Sequence, residues 1–228
     1  MTASWITKLE QGTARSVSVD VLDALSRALQ LDPVERSHLL SLAGYRDPAG
    51  SAGAGTDGPI VTTALRALLD ALDPNPAYLL DRSWNIVGWN AAEALLFPTL
   101  ASMPEGAPNL LDMVFQDRDL ALLMADHREE QERLVAQFRL QSIDGGHEPE
   151  LATLVARLRD ASPRFAELWD ARDVVPFATT ERHFDHPRAG RLVLDHQRLA
   201  VLDQPELQLV VYTARPGADD LRRLHEQR

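Results

Sequence analysis

Apolar residues recur at helical spacing through the first part of the chain and change to strand-like runs toward its end. Trp5, Ile6 and Leu9 share one face of a predicted helix over residues 3–11, which Gly12 is placed to end. Val21, Leu22, Leu25, Ala28 and Leu29 form a second stripe behind a cap at Ser18, with Asp20 in the first turn. The third start is the clearest local signal. Asp32 caps, Pro33 takes the first helical position and Glu35 closes a capping box. Leu39, Leu40 and Leu42 follow, and Gly44 stops that helix. The Gly/Ala/Ser-rich run DPAGSAGAGTDG at 47–58 has no residues with which to build a core and reads as a flexible linker.

Beyond the linker the pattern is mixed. Leu65, Leu68, Leu69 and Leu72 predict a helix over 64–72, broken by Pro74 and Pro76. Residues 78–80 and 84–89 read as a hairpin turning at Asp81, Arg82 and Ser83. Asn90 and Asn109 are placed to cap helices over 91–97 and 110–115. A long charged helix is expected over 119–140, and others over 151–158 and from Ser162–Pro163 onward. Four strands are then expected, over 182–184, 191–194, 198–202 and 207–213. With the hairpin they make a sheet of five or six strands with helices on one face. The fold class is α+β, with a sheet able to curl around a pocket.

Composition narrows the chemistry. Cysteine is absent from the 228 residues, which excludes disulfides, thiolate metal sites and a cysteine nucleophile. No apolar run reaches the length of a membrane span, and the first residues do not read as a signal peptide, so a cytoplasmic protein is expected. The net charge is −11. Residues 1–46 are neutral, the linker carries −2 and the remainder −9. A neutral module joined to an acidic one is compatible with DNA contact at one end only.

Three constellations are candidates for function. His183, Asp185, His186 and His196 form the densest polar group. On a strand His183 and His186 fall on opposite faces, so turn chemistry around Pro187 and Gly190 is expected and no metal site. Glu129, Glu130 and Glu132 read as a solvated helix face. No GxSxG, HExxH or glycine-rich phosphate loop occurs, so no enzyme and no cofactor is expected. Aromatic residues concentrate after the linker. Tyr78, Trp89, Phe138, Phe165, Trp169 and Tyr212, with Asn90 as a polar point, are the candidate walls of an apolar ligand pocket. Each aromatic taken singly also fits ordinary core, and Asn90 also fits a helix cap. Near the start, Ser4, Thr7, Lys8 and Gln11 lie on the polar side of the first helix and Arg15 in the loop after it. They are candidate DNA contacts, although any surface helix presents such residues.

The run WITKLEQGTARSVSVDVLDALSRALQLDPVERSHLLSLAG resembles the later part of the Cro/C1-type (xenobiotic response element, XRE) helix-turn-helix domain, with the LEQG helix in the place of its recognition helix. PAYLLDRSWNIVGWNAA at 76–92, NLLDMVF at 109–115, SPRFAELWDARDV at 162–174, HPRAGRL at 186–192 and LQLVVYTARPG at 207–217 resemble the MmyB-like ligand-binding domain that follows this helix-turn-helix in many regulators. The resemblance implies a PAS-like second domain that senses small hydrophobic molecules, fatty-acid-like ones among them. It also implies two further helices before the recognition helix. An N-terminally truncated DNA-binding domain is therefore expected over 1–46, a linker over 47–58 and the MmyB-like domain over 59–228. The expected protein is a transcriptional regulator, a homodimer on double-stranded DNA, responding to an apolar effector. The alternative is a ligand-sensing or interaction module with weak DNA binding or none of its own.

Overall fold

A computed structural model describes residues 17–43, 61–102, 108–144, 149–171 and 180–227. The chain divides into two compact units, Met1–Gly58 and Pro59–Arg228. The helix expected over 3–11 and the linker at 47–58 lie outside the described residues.

In the first unit, helices α1 (Val19–Ala28) and α2 (Pro33–Leu42) pack against each other, with Leu22 and Leu40 buried. The capping box forms as expected. The Asp32 amide donates to Glu35 Oε2 and the Glu35 amide to Asp32 Oδ1, each at 2.9 Å. Ser18 takes the extended cap conformation without a side-chain bond. A half-buried ion pair, Arg36 to Asp23 at 2.7 Å, ties α1 to α2.

The second unit is α+β. It runs α3 (Thr63–Ala71), β1 (Ala77–Leu80), β2 (Ile86–Trp89), α4 (Ala91–Leu96), α5 (Pro98–Ser102), α6 (Leu110–Gln116), α7 (Arg118–Leu123), α8 (His127–Asp144), α9 (Pro149–Ala161), α10 (Pro163–Ala171), β3 (Thr180–His186), β4 (Gly190–Ala200), β5 (Gln208–Ala214) and α11 (Asp220–His225). The five strands form one antiparallel sheet in the order β2-β1-β5-β4-β3, not closed into a barrel.

The sheet sends alternate residues to two faces. Tyr78, Leu80, Leu192, Leu194, Val210 and Tyr212 enter the large core under the helices. Ala77, Leu79 and Val211 meet Leu65 and Leu69 of α3 and its C-cap Leu72 on the other side. Helices were expected on one face only, but α3 covers part of the second. The uninterrupted apolar runs of β1 and β5 suit strands buried on both sides.

Two other expectations change. The helix expected over 119–140 is divided, because Met124 bridges to Phe184 and the Ala125 amide donates to the His183 carbonyl at 3.0 Å. Pairing with the edge strand β3 outweighs local helix propensity there. The strands expected over 191–194 and 198–202 are one long β4, held on both sides by β3 and β5.

Candidate functional site

The site is built on the helix-covered face of the sheet. Tyr78 lies opposite Val210, Val210 opposite Arg198, and Tyr212 opposite His196. Three neighbouring strands therefore bring these five side chains to one floor. Helix α8 supplies the roof with Glu130, Leu134 and Gln137, spaced one helical turn apart. Leu80, Val114, Leu120, Met124, Phe97 and Trp84 complete apolar walls around about 450 Å³ of empty space, part of it open to solvent.

Trp84 is held there by a short device. The Asp81 carboxylate accepts from the Asn85 amide at 2.7 Å and closes the hairpin turn. Trp84 itself has φ of 63°, in the left-handed region that bulky residues rarely enter. This conformation turns the indole inward, where it is fully buried. Its Nε1–H donates to Gln141 Oε1 at 2.8 Å, its ring meets Phe138 edge to face, and the Arg198 guanidinium lies 4.8 Å from its centroid.

The polar groups gather at one end. Arg182 of β3 pairs with Glu130 at 3.1 Å, both almost fully buried, and Arg133 also contacts Glu130. Burial pulls His196 well below the usual imidazole range, helped by the charges of Arg182, Arg198 and Arg133. Its ring packs 5.0 Å from that of Tyr212. Burial, then the nearby Glu93 carboxyl, raises Tyr78 above the usual phenol range. Burial raises Tyr212 too, with Tyr78 and Glu93 adding to it. These groups are neutral hydrogen-bonding partners at pH 7, set among cations.

Glu93, 1% exposed, is the counterpart. Burial holds its carboxyl well above the ordinary value of 4.5, and its Oε2 has no hydrogen-bond partner among the described residues. A raised carboxyl favours folding when protonated, so its contribution is full below the unfolded value and lost as pH rises through the folded value. We expect Glu93→Gln to gain stability over the wild type progressively as pH rises above 4.5, by up to about 1.4 kcal/mol per pH unit. Urea melts of both proteins from pH 4.5 to 7.5 check this (roughly half-unit steps suffice), and a pH-independent difference would refute it.

The sequence-predicted residues separate into groups. Tyr78 and Tyr212 line the pocket, with ring centroids 6.5 Å apart. Phe138, Phe165 and Trp169 form a contiguous aromatic layer. Trp169 stacks on Phe165 at 5.8 Å and meets Phe138 at 5.8 Å, while Trp84 joins that layer to the pocket wall. Trp89 is only partly buried, on the edge strand β2, and its carbonyl accepts from Arg66 at 3.2 Å.

Asn90 uses all its hydrogen-bonding positions within the protein. Oδ1 accepts from the amides of Ala77 at 3.1 Å and Glu93 at 2.9 Å, and Nδ2 donates to the carbonyls of Leu69 at 3.1 Å and Asn75 at 2.9 Å. It caps α4 while joining α3 to β1. Ser4, Thr7, Lys8, Gln11 and Arg15 lie outside the described residues.

His183 and His186 do fall on opposite sides of β3. His183 Nδ1 lies 2.9 Å from Asp126, whereas His186 is buried in the turn. His186 Nδ1 accepts from the Ala189 amide at 2.9 Å and Nε2 lies 2.9 Å from the Leu95 carbonyl, which fixes the Nε2–H tautomer. Among the described residues no group of three or more His, Asp or Glu is placed to hold a metal ion.

Sequence reasoning missed Glu130, Gln137, His196 and Arg198 as lining residues. Glu129 and Glu132 do face solvent, but Glu130 points inward to Arg182. A signal for it was available, because Glu130 precedes Leu134 and Gln137 on the same helical face.

No helix among the described residues is long and apolar enough to cross a membrane. No curated protein matches the chain significantly. The model of the MmyB-like transcription regulator ligand binding domain matches residues 61–227, which takes in the whole sheet, the helices over it and the pocket between them. With that span covering most of its length, this chain belongs to the MmyB-like transcription regulator ligand-binding domain family.

Proposed function

We propose that the protein is a DNA-binding transcriptional regulator whose domain over 59–228 senses an apolar, fatty-acid-like small molecule. The observation that carries this reading is the pocket itself. Its apolar walls, drawn from the sheet floor and the helices over it, converge on a few polar groups. DNA contact belongs in this reading to residues 1–46, through Ser4, Thr7, Lys8, Gln11 and Arg15, on the resemblance of that segment to a Cro/C1-type helix-turn-helix. A homodimer fits a palindromic operator, since a two-fold site is read by a two-fold protein. The ligand acts by binding one arrangement of the two units better than another.

Native mass spectrometry of gently purified protein, followed by titration with medium- and long-chain fatty acids, tests the ligand. A bound apolar species, or binding at or below tens of micromolar, is the expected result. Failure of every apolar compound refutes the reading. The DNA half is tested separately, by anisotropy titration with DNA from the protein's own promoter region. Lys8→Ala and Arg15→Ala are expected to weaken binding and flatten its salt dependence, by about one unit of slope for each phosphate that is no longer neutralised. Unchanged salt dependence in both variants refutes the assigned DNA-binding residues.

A further inference from the structure

The roof of the pocket contains one polar side chain that the protein does not satisfy. Gln137 lies on the inner face of α8, is 6% exposed and lines the cavity. Its amide nitrogen has no hydrogen-bond partner among the described residues. The neighbouring roof residues are accounted for: Leu134 is apolar, and Glu130 is held by Arg182 and Arg133. A buried amide without a partner is costly, so natural interiors retain one mainly where something else completes it. Across the same cavity lies Arg198, whose guanidinium carries donors only and rests on the Trp84 ring. The groups at this end are Arg182, Arg133 and Arg198 against Glu130, with the Glu93 carboxyl nearby held toward its neutral form by burial, which leaves positive charge in excess.

We infer that Gln137 is the residue that reads the head of this pocket's occupant, its amide donating to an oxygen acceptor there, a carboxylate or carbonyl. The inference rests on the pocket being a ligand site, and it goes further by making head-group chemistry part of the recognition. The apolar body of the ligand lies along Leu80, Val114, Leu120 and Leu134. The head accepts from the Gln137 amide on the roof, within the field of Arg198 on the floor. A plain hydrocarbon leaves the amide unsatisfied, and an ammonium head places donor against donor and cation among cations.

Calorimetric titration of the full chain with three probes of equal length, decanoate, decan-2-one and decylamine, tests this. The wild type is expected to bind decanoate and the ketone at least about tenfold more tightly than the amine. Decanoate tighter than the ketone assigns a share of the affinity to the Arg198 charge; equal binding assigns it to the amide. Both outcomes support the inference. Gln137→Leu is expected to lose about tenfold for both oxygen heads, and Gln137→Glu, close in size, to shift preference toward decylamine. The wild-type ranking needs no variant, so a misfolded substitution leaves the test intact. Binding of all three probes without preference, or preference for the amine, overturns the role of Gln137 while leaving the pocket a ligand site. Binding of none overturns the reading of the pocket as well.

Discussion

Replacing Asn90 with alanine is expected to destabilise the second unit by about 3–5 kcal/mol, with a fall in Tm of roughly 10 °C or more. The side chain is 2% exposed and makes four hydrogen bonds with α3, β1, α4 and the segment between α3 and β1. Its removal uncaps α4, which costs about 1 kcal/mol. It also leaves the buried Ala77 amide without its partner, at about 1–3 kcal/mol, and takes one hydrogen bond each from the partly buried Asn75 carbonyl and from the Leu69 carbonyl, which keeps the Leu72 amide at 3.2 Å. Asn90→Ser separates the two contributions, because serine restores the cap without replacing the bonds to Ala77, Leu69 and Asn75. A recovery of about 1 kcal/mol is expected. Chemical denaturation of the three proteins provides the numbers, and a loss below about 1 kcal/mol for the alanine variant would refute this role. Ligand affinity extrapolated to the folded fraction is expected to change little, because Asn90 does not line the pocket.

Phe138→Ala is expected to cost a further large amount, about 3–5 kcal/mol. The ring is fully buried between Trp84 and Trp169, at 5.4 and 5.8 Å between centroids. Truncation leaves a cavity in the middle of the aromatic layer, and neighbours as rigid as two indoles collapse into it poorly. It also frees the Trp84 ring, so ligand binding is expected to weaken together with stability. Tyr212→Phe is the contrasting substitution. Its ring lines the pocket floor, and the substitution keeps that ring while removing only the hydroxyl, so stability is expected to change by less than about 1 kcal/mol. Thermal melts distinguish the two: a mild Phe138→Ala or a severe Tyr212→Phe would reverse the division between supporting layer and pocket wall.

That division shows what aromatic composition can and cannot reveal. Clustering of aromatics after the linker pointed to a ligand domain, and Tyr78 and Tyr212 indeed share the floor. Phe138, Phe165 and Trp169 have the same residue chemistry but pack on one another one layer behind. Nothing in their own residues distinguishes wall from backing, because that depends on which helix face is turned toward the sheet and how deeply.

Local signals in the sequence determined much of the framework. The Asp32–Glu35 box, the Asn90 and Asn109 caps and the Ser162–Pro163 start all act within one helical turn, and each forms its expected bond. Period-two alternation and the continuous apolar runs of β1 and β5 similarly set which residues enter the core. Tertiary structure decided what depends on residues distant in sequence. It divided the helix expected over 119–140 by pairing Met124 with Phe184, and joined two expected strands into β4 between its neighbours. It also turned Glu130 from a solvated charge into the buried partner of Arg182, and brought Gln137, His196 and Arg198 to one cavity. Hydrogen bonds within a turn are written in adjacent residues. The meeting of a roof helix with three strands up to 82 positions away follows only from the register of the sheet and the packing of the helices upon it.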